Sequence, residues 1–362
     1  MEISYKRALR KAEKALYDLS SLYEGAGYEK YKMRKFEEYS LYSENKSFLN
    51  SDRIITFSDI GGKLLALKPD VTLSIAKNYE DGEQTKVYYN ENVYRLSRET
   101  KEYTEITQIG LELIGNCDIY GMCEVLSLAM GSLACIDENY MIEVSHMGFV
   151  SGLFEVLNLS KNAKSAVIEA INKKAPHELQ KACDEYSLPG ASAKLIKGIA
   201  SLNGDFEKTL EKASEYAVNE KMTKALDELR EIYKIVGDKR IVLDFSNIND
   251  DGYYNGIIFK GYINNVPKVV LSGGRYDKLM EKLDKKAEAI GFAVYLGEIE
   301  KYIKDDIRFD ADILLTYTDA DCAQDVFKKA TELRSSGKSV RVQKTEGKVR
   351  YGEILRSEDV SL

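Results

Sequence analysis

Histidine occurs only twice in the 362 residues, as His146 and His177, so a His-rich metal site is not expected; each isolated ring reads as a helix-surface or satisfied core residue. Cysteine is also scarce. Cys117, Cys123, Cys135, Cys183 and Cys322 are odd in number, no two are spaced like a metal knuckle or a redox pair, and they read as reduced thiols. With only 4 prolines and 44% hydrophobic residues, the composition excludes a disordered or fibrous chain and suits two or three packed domains. No run approaches the roughly 18 apolar residues of a membrane helix, and the start, Met1-Glu2-Ile3-Ser4-Tyr5-Lys6-Arg7, leads into a charged amphipathic helix, so a cytoplasmic location is expected. A basic excess is missing too. The net charge of −7 argues against a protein whose main task is holding a polyanion, and favours small molecules or protein partners. Finally, there is no phosphate-binding loop of the P-loop or dinucleotide type; Gly273-Gly274 reads as a strand-end turn.

What is present falls into an ordered series of elements. Apolar residues at helical spacing (Leu9, Ala12, Ala15, Leu16, Leu19, Leu22, Tyr23) predict a helix that breaks at Gly25-Ala26-Gly27. Ile54 to Asp59 and Lys63 to Leu67 flank Gly61-Gly62 as a hairpin, Pro69 stops the second strand, and Thr72 to Asn78 reads as a helix that Asp70 or Thr72 could cap. A second, longer hairpin is expected from Lys86 to Leu96 and Glu105 to Ile114, with Arg98 and Glu99 in its exposed tip. Helical spacing returns from Gly121 to Ile136, a strand follows at Met141 to Val144, and residues 151 to 236 read as an all-helical insertion. Strand signals resume at Ile241 to Phe245, Gly256 to Tyr262 and Lys268 to Ser272, with helices at Lys278 to Leu283 and Val294 to Tyr302. The whole predicts an α+β class with an antiparallel sheet, flanking helices and a helical insertion over 1–307. Residues 308–362 add one βαβ unit: strand Asp312 to Tyr317, helix Ala320 to Ser335, strand Ser339 to Gln343.

Holding a free amino acid requires acceptors for its ammonium, a cation or amide for its carboxylate and partners for its side chain. Arg95, Gln108 and Glu112 lie on adjacent candidate strands, and Gln108 and Glu112 are four apart, which turns both to one face of the sheet. Such a trio can floor a pocket or line a solvated hairpin face. Asp70 and the pair Tyr253-Tyr254 are equally open to either reading, and Asp250-Asp251 reads as turn chemistry before Gly252.

Five motifs in order carry a resemblance: Leu67-Lys68-Pro69-Asp70-Val71-Thr72, Tyr94-Arg95, Gln108-Ile109-Gly110-Leu111-Glu112, Gly252-Tyr253-Tyr254-Asn255-Gly256-Ile257-Ile258-Phe259, and Gly273-Gly274-Arg275-Tyr276-Asp277. Together they resemble the core of class II histidyl-tRNA synthetases, and more closely the non-aminoacylating paralogues of those enzymes, the regulatory subunits of ATP phosphoribosyltransferase, over roughly residues 4 to 305. The resemblance implies a class II synthetase-like fold, with Asp70 and Thr72 beside the amino group of a bound histidine. It also implies that Gln108, Glu112 and Tyr253 or Tyr254 surround the ammonium and imidazole, and that Arg95 meets a carboxylate or α-phosphate.

The departures fall on the nucleotide side. Where the synthetases carry an activating arginine before the double tyrosine, this chain has Asn249, followed by Asp250 and Asp251. Their closing motif, approximately Gly-Phe-Ala-x-Gly-x-Glu-Arg, is matched by Gly291-Phe292-Ala293-Val294-Tyr295-Leu296-Gly297-Glu298, so Tyr295 replaces a glycine and Glu298 an arginine. Losing one charge-assisted phosphate contact costs about 1.5 to 3 kcal/mol, and a carboxylate in its place adds repulsion. Residues 308–362 resemble half of an anticodon-binding domain and carry 10 Lys+Arg against 10 Asp+Glu, a poor tRNA reader. The expectation is a regulatory subunit with no catalytic residues, cofactor or metal. It would bind histidine and partner a short-form catalytic subunit, as a homodimer within a hetero-oligomer. A divergent histidyl-tRNA synthetase, and a paralogue serving some other partner, remain as alternatives.

Overall fold

The computed structural model describes residues 11–49, 54–97, 100–248, 253–302 and 309–356. Chain compactness separates a larger unit ending at Tyr302 from a smaller one, of which 309–356 are described. Asn249, Asp250, Asp251 and Gly252, together with Arg98, Glu99 and the first turns of the expected N-terminal helix, lie outside the described residues.

In the larger unit the chain runs through α1 (Lys11–Gly25), β1 (Glu29–Lys30), β2 (Phe36–Glu38), α2 (Tyr39–Ser43), β3 (Thr56–Ser58), β4 (Leu64–Leu67), α3 (Thr72–Asn78), β5 (Thr85–Leu96) and β6 (Tyr103–Gly115). Next come α4 (Ile119–Ile136), β7 (Tyr140–His146), α5 (Met147–Leu157), α6 (Lys161–Asn172), α7 (Pro176–Glu185), α8 (Gly190–Ala200), β8 (Asn203–Asp205), α9 (Phe206–Ser214) and α10 (Glu220–Val236). It closes with β9 (Ile241–Asp244), β10 (Ile257–Ile263), β11 (Leu271–Arg275), α11 (Asp277–Lys282), β12 (Glu288–Tyr295) and α12 (Leu296–Tyr302). Nine of these strands form one sheet in the order β1-β5-β6-β12-β11-β10-β7-β9-β8. Its centre is antiparallel, as expected, but β1 joins β5 and β9 joins β7 in parallel near the edges.

The back of the sheet is apolar. Tyr23 of α1 packs its ring against Tyr88 and Phe292 and hydrogen-bonds Ser132 of α4 at 2.8 Å, so two helices seal this face. α4 corrects one expectation. Its 18 residues are apolar enough, at a mean hydropathy of 1.7, to cross a membrane by length and composition, yet they include Glu124 and much of the helix is buried within the protein. Burying it against the sheet accounts for an apolar helix without any bilayer.

Other expectations also need correction. Residues 151–236 are not all helical, because β8 interrupts them and pairs antiparallel with β9 at the sheet edge. Gly273 and Gly274 are interior to β11 rather than at a turn, the strand expected at 268–272 begins at Leu271, and the stretch from Val294 first completes β12 before α12 begins. β12 lies between β6 and β11, so a strand with little sequence alternation joins the β5–β6 hairpin to the rest of the sheet. The hairpin β3–β4 forms as expected and acquires β2 as a third strand.

In the smaller unit β13 (Ala311–Thr316), α13 (Ala323–Ser335) and β14 (Val340–Gln343) make the expected βαβ unit around Leu315, Val326 and Ala330. It does not end there. β15 (Tyr351–Arg356) pairs with β13 in parallel on the other side, giving the order β14-β13-β15.

Candidate functional site

The front of the large sheet holds a cavity of about 430 Å³, in the range of small-ligand sites, and all seven expected residues line it. Register explains the convergence. Directly opposite residues on paired strands share a face. Arg95 opposite Thr104, and then Gln108 and Glu112 further along β6, therefore present their side chains together, and Glu112 is continued across the sheet by Gly291, Gly274 and Ile258. The trio floors a pocket and does not face solvent: Gln108 is 3% exposed and Glu112 is 2% exposed.

Glu112 is the electrostatic centre. Thr72 donates its hydroxyl to Oε1 at 2.7 Å, and Tyr276 donates its phenol to Oε2 at 2.7 Å. Burial nevertheless dominates these bonds and the nearby Asp70 adds repulsion, so the carboxyl is pushed up to about 8. Space for it comes from the neighbouring strand, where a Cβ on Gly291 would stand 1.7 Å from Oε2. Gly110, in the middle of β6, similarly leaves room for the Tyr89 ring, whose hydroxyl would lie 2.6 Å from a Cβ there.

Asp70 sits where Pro69 has ended β4. Its Oδ1 accepts the Leu73 amide at 2.8 Å, which makes Asp70, not Thr72, the side chain that satisfies the first turn of α3. Its Oδ2 is 3.4 Å from Arg95, whose Nε donates to the Pro69 carbonyl at 2.6 Å. Burial raises the Asp70 carboxyl despite that cation. Arg95 thus meets a carboxylate of the protein itself, and its guanidinium is oriented by strand-end backbone. Tyr253 and Tyr254 pack edge-to-face at 4.7 Å, and Tyr253 lies against Tyr276 at 5.6 Å, so the double tyrosine walls the cavity as an aromatic corner. The Gln108 Oε1 is buried without a hydrogen-bond partner among the described residues.

Of the three departures from the synthetase motifs, Tyr295 and Glu298 lie among the described residues. Tyr295 stands beside Gln108 on the adjoining strand and bonds Ser272 at 2.6 Å, hydroxyl to hydroxyl, while Glu298 lies 3.8 Å from Lys268. Tyr276 and Gly291 lie in the matched motifs, but motif spacing alone gives neither its contact with Glu112. The fact that Gly291 pairs with Glu112 could not be read before β12 was placed.

Residues 4–299 match the family model for histidyl-tRNA synthetase. An ATP phosphoribosyltransferase regulatory subunit from Clostridium kluyveri is 30% identical over 335 residues, 88% of this chain and 85% of the relative. The chain belongs to the family of ATP phosphoribosyltransferase regulatory subunits. As such it is a non-catalytic subunit on a histidyl-tRNA synthetase-like fold. The solved ATP phosphoribosyltransferase regulatory subunit/histidyl-tRNA synthetase from Bacillus halodurans has the same fold, with a TM-score of 0.75 at 21% identity, covering 96% of this chain and 93% of that one. A chain of the ATP phosphoribosyl transferase (HisG:HisZ) complex from Thermotoga maritima matches at TM-score 0.61 and 19% identity, covering 79% of this regulatory subunit and 97% of that chain.

Proposed function

We propose that this regulatory subunit binds free histidine in the front cavity and transmits its occupancy to a short-form catalytic ATP phosphoribosyltransferase subunit, acting as feedback effector site for the first step of histidine biosynthesis. The observation that carries this reading is the acceptor cluster of Asp70, Glu112 and the partnerless Gln108 Oε1 in one buried cavity. A ligand ammonium and an imidazole N–H would satisfy those acceptors, and the Arg95 guanidinium lies beside them for the carboxylate. Support for the partner is the Thermotoga maritima complex, in which a chain of this fold occurs. Regulation then requires that histidine favour a low-activity arrangement of the assembly, and the coupling is reciprocal: the catalytic subunit changes histidine affinity by the same factor. The subunit acts as a homodimer in that assembly, and its C-terminal unit does not read tRNA.

Calorimetry with histidine and ATP titrated separately tests the reading. Micromolar histidine binding without ATP binding is expected. Absence of histidine binding to the intact protein would refute the pocket assignment, and histidine-dependent pyrophosphate exchange with ATP would restore an enzyme.

A further inference from the structure

The cavity has a second end. Across the sheet, Gly110 of β6, which lies between Gln108 and Glu112, is followed by Ala293, Ser272 and Lys260 on successive strands. Three interstrand steps put the Lys260 backbone about 14 Å from that of Gly110. A free amino acid carries its ammonium and carboxylate on one carbon, so a ligand held by Glu112 and Gln108 keeps its carboxylate near Arg95, well short of β10.

The far end differs in chemistry from the near end. Lys260 is a half-buried cation that lines the cavity, and among the described residues it makes no ion pair. Glu143 and Asp244 attract its charge and Lys174 repels it, and both carboxylates already have hydrogen-bond partners. Asp244 accepts Lys174 Nζ at 2.6 Å and the Ser246 amide at 2.8 Å, and Glu143 accepts the Tyr262 hydroxyl at 3.0 Å. Facing the same space is Asn247, only 7% exposed, whose Nδ2 is buried without a hydrogen-bond partner among the described residues. The near end therefore presents acceptors, and the far end presents a cation and an unsatisfied amide donor. Burying an amide donor without a partner is costly, and an anion in the shared cavity would offer that donor and the Lys260 ammonium an acceptor.

We propose that the far end of the cavity is a subsite for a small oxyanion, held by Lys260 and Asn247, belonging to a ligand other than the amino acid. Carboxylate and phosphate share the chemistry, and the probes separate them. Burial holds the Lys260 ammonium below the usual lysine range, and an oxyanion bound there raises it.

The test titrates the full chain with inorganic phosphate and, separately, with malonate, by calorimetry and by NMR of isotopically methylated lysines. Binding of at least one probe is expected, together with an upward shift in the Lys260 titration, and K260M should weaken that binding at least tenfold while leaving histidine affinity within twofold. Should K260M fold poorly, K260Q and the wild-type lysine titration give the same readout. Failure of both probes to bind the wild type, or unchanged probe affinity in the Lys260 variants, overturns the proposal. Neither result depends on whether histidine binds at Glu112.

Discussion

Glu112 is a carboxyl that holds its proton up to about pH 8 because burial outweighs two donated hydrogen bonds. In the unfolded chain the same group ionises in the ordinary range. Between those two values the folded state carries a proton that the unfolded state has lost, so stability declines as pH rises from about 4.5 and levels off above about 8. From this carboxyl the slope is at most about 1.4 kcal/mol per pH unit. Urea unfolding at pH 6 and pH 8 should show the decline in the wild type and a shallower one in Glu112→Gln, with Asp70, raised in the same direction, supplying what remains. Equal slopes in the two proteins would count against the assignment. Histidine entering with its ammonium should draw the proton off, so binding at pH 7 releases up to one proton, measurable from calorimetry in buffers of different ionisation enthalpy. Gly291→Ala tests the same carboxyl sterically. A Cβ 1.7 Å from Oε2 and 2.5 Å from the Leu111 carbonyl must displace Glu112 or the strand. A loss of about 1 to 3 kcal/mol in unfolding free energy and loss of histidine binding are expected.

Single elements show where a sequence pattern suffices and where it does not. α1, α3, α4, β5, β6 and the βαβ unit were legible because each carries its own period, 3.6 or 2, over enough residues, and Gly25-Ala26-Gly27 and Pro69 punctuate them. The same period turned Gln108 and Glu112 to one face, which made most of the near end of the cavity readable. Strand β12 was not legible: Glu288 to Tyr295 is nearly all apolar and is buried on both faces, so no alternation marks it, and its register with Glu112 is a tertiary fact. β8, with three residues, is too short to show a period, and in β15 burial does not alternate along the strand. Lys260 left a trace, a lone cation within Ile257-Ile258-Phe259-Lys260, but only the sheet order reveals that it shares a cavity with Glu112. His146 shows the structural side of the same element scale. Its Nδ1 accepts the Gly148 amide at 3.0 Å, capping α5, and its Nε2 lies 2.8 Å from Glu228 on α10. His146→Ala should therefore cost about 1 to 2 kcal/mol in unfolding free energy, as a lost cap does, and leave histidine affinity unchanged. A matching fall in affinity would make His146 part of the site.

At the scale of the molecule, a regulatory subunit works through other chains, and the small sheet β2-β4-β3 presents an exposed aromatic face. Phe36 and Phe57 meet edge-to-face at 5.5 Å and are 46% and 39% exposed, on the same face as Leu65 and Leu67. Leu67 is also the strand end from which the chain runs through Lys68 and Pro69 to Asp70, which lines the cavity, so the patch and the acceptor cluster are three residues apart along the chain. Isolated exposed apolar residues need no explanation, but adjacent aromatic rings on a sheet face are the kind of patch that interfaces cover. If the homodimer forms through this sheet, Phe57→Glu puts a charge into the interface. Light scattering coupled to gel filtration should then show a dimer for the wild type and a monomer, or a dimer weakened at least tenfold, for the variant. Because β4 connects the patch to Asp70, the monomeric variant should also bind histidine with altered affinity while retaining its circular dichroism spectrum. A variant that stays dimeric would move the self-association surface elsewhere on the chain, and a monomer with unchanged histidine affinity would sever the link between the small sheet and the cavity.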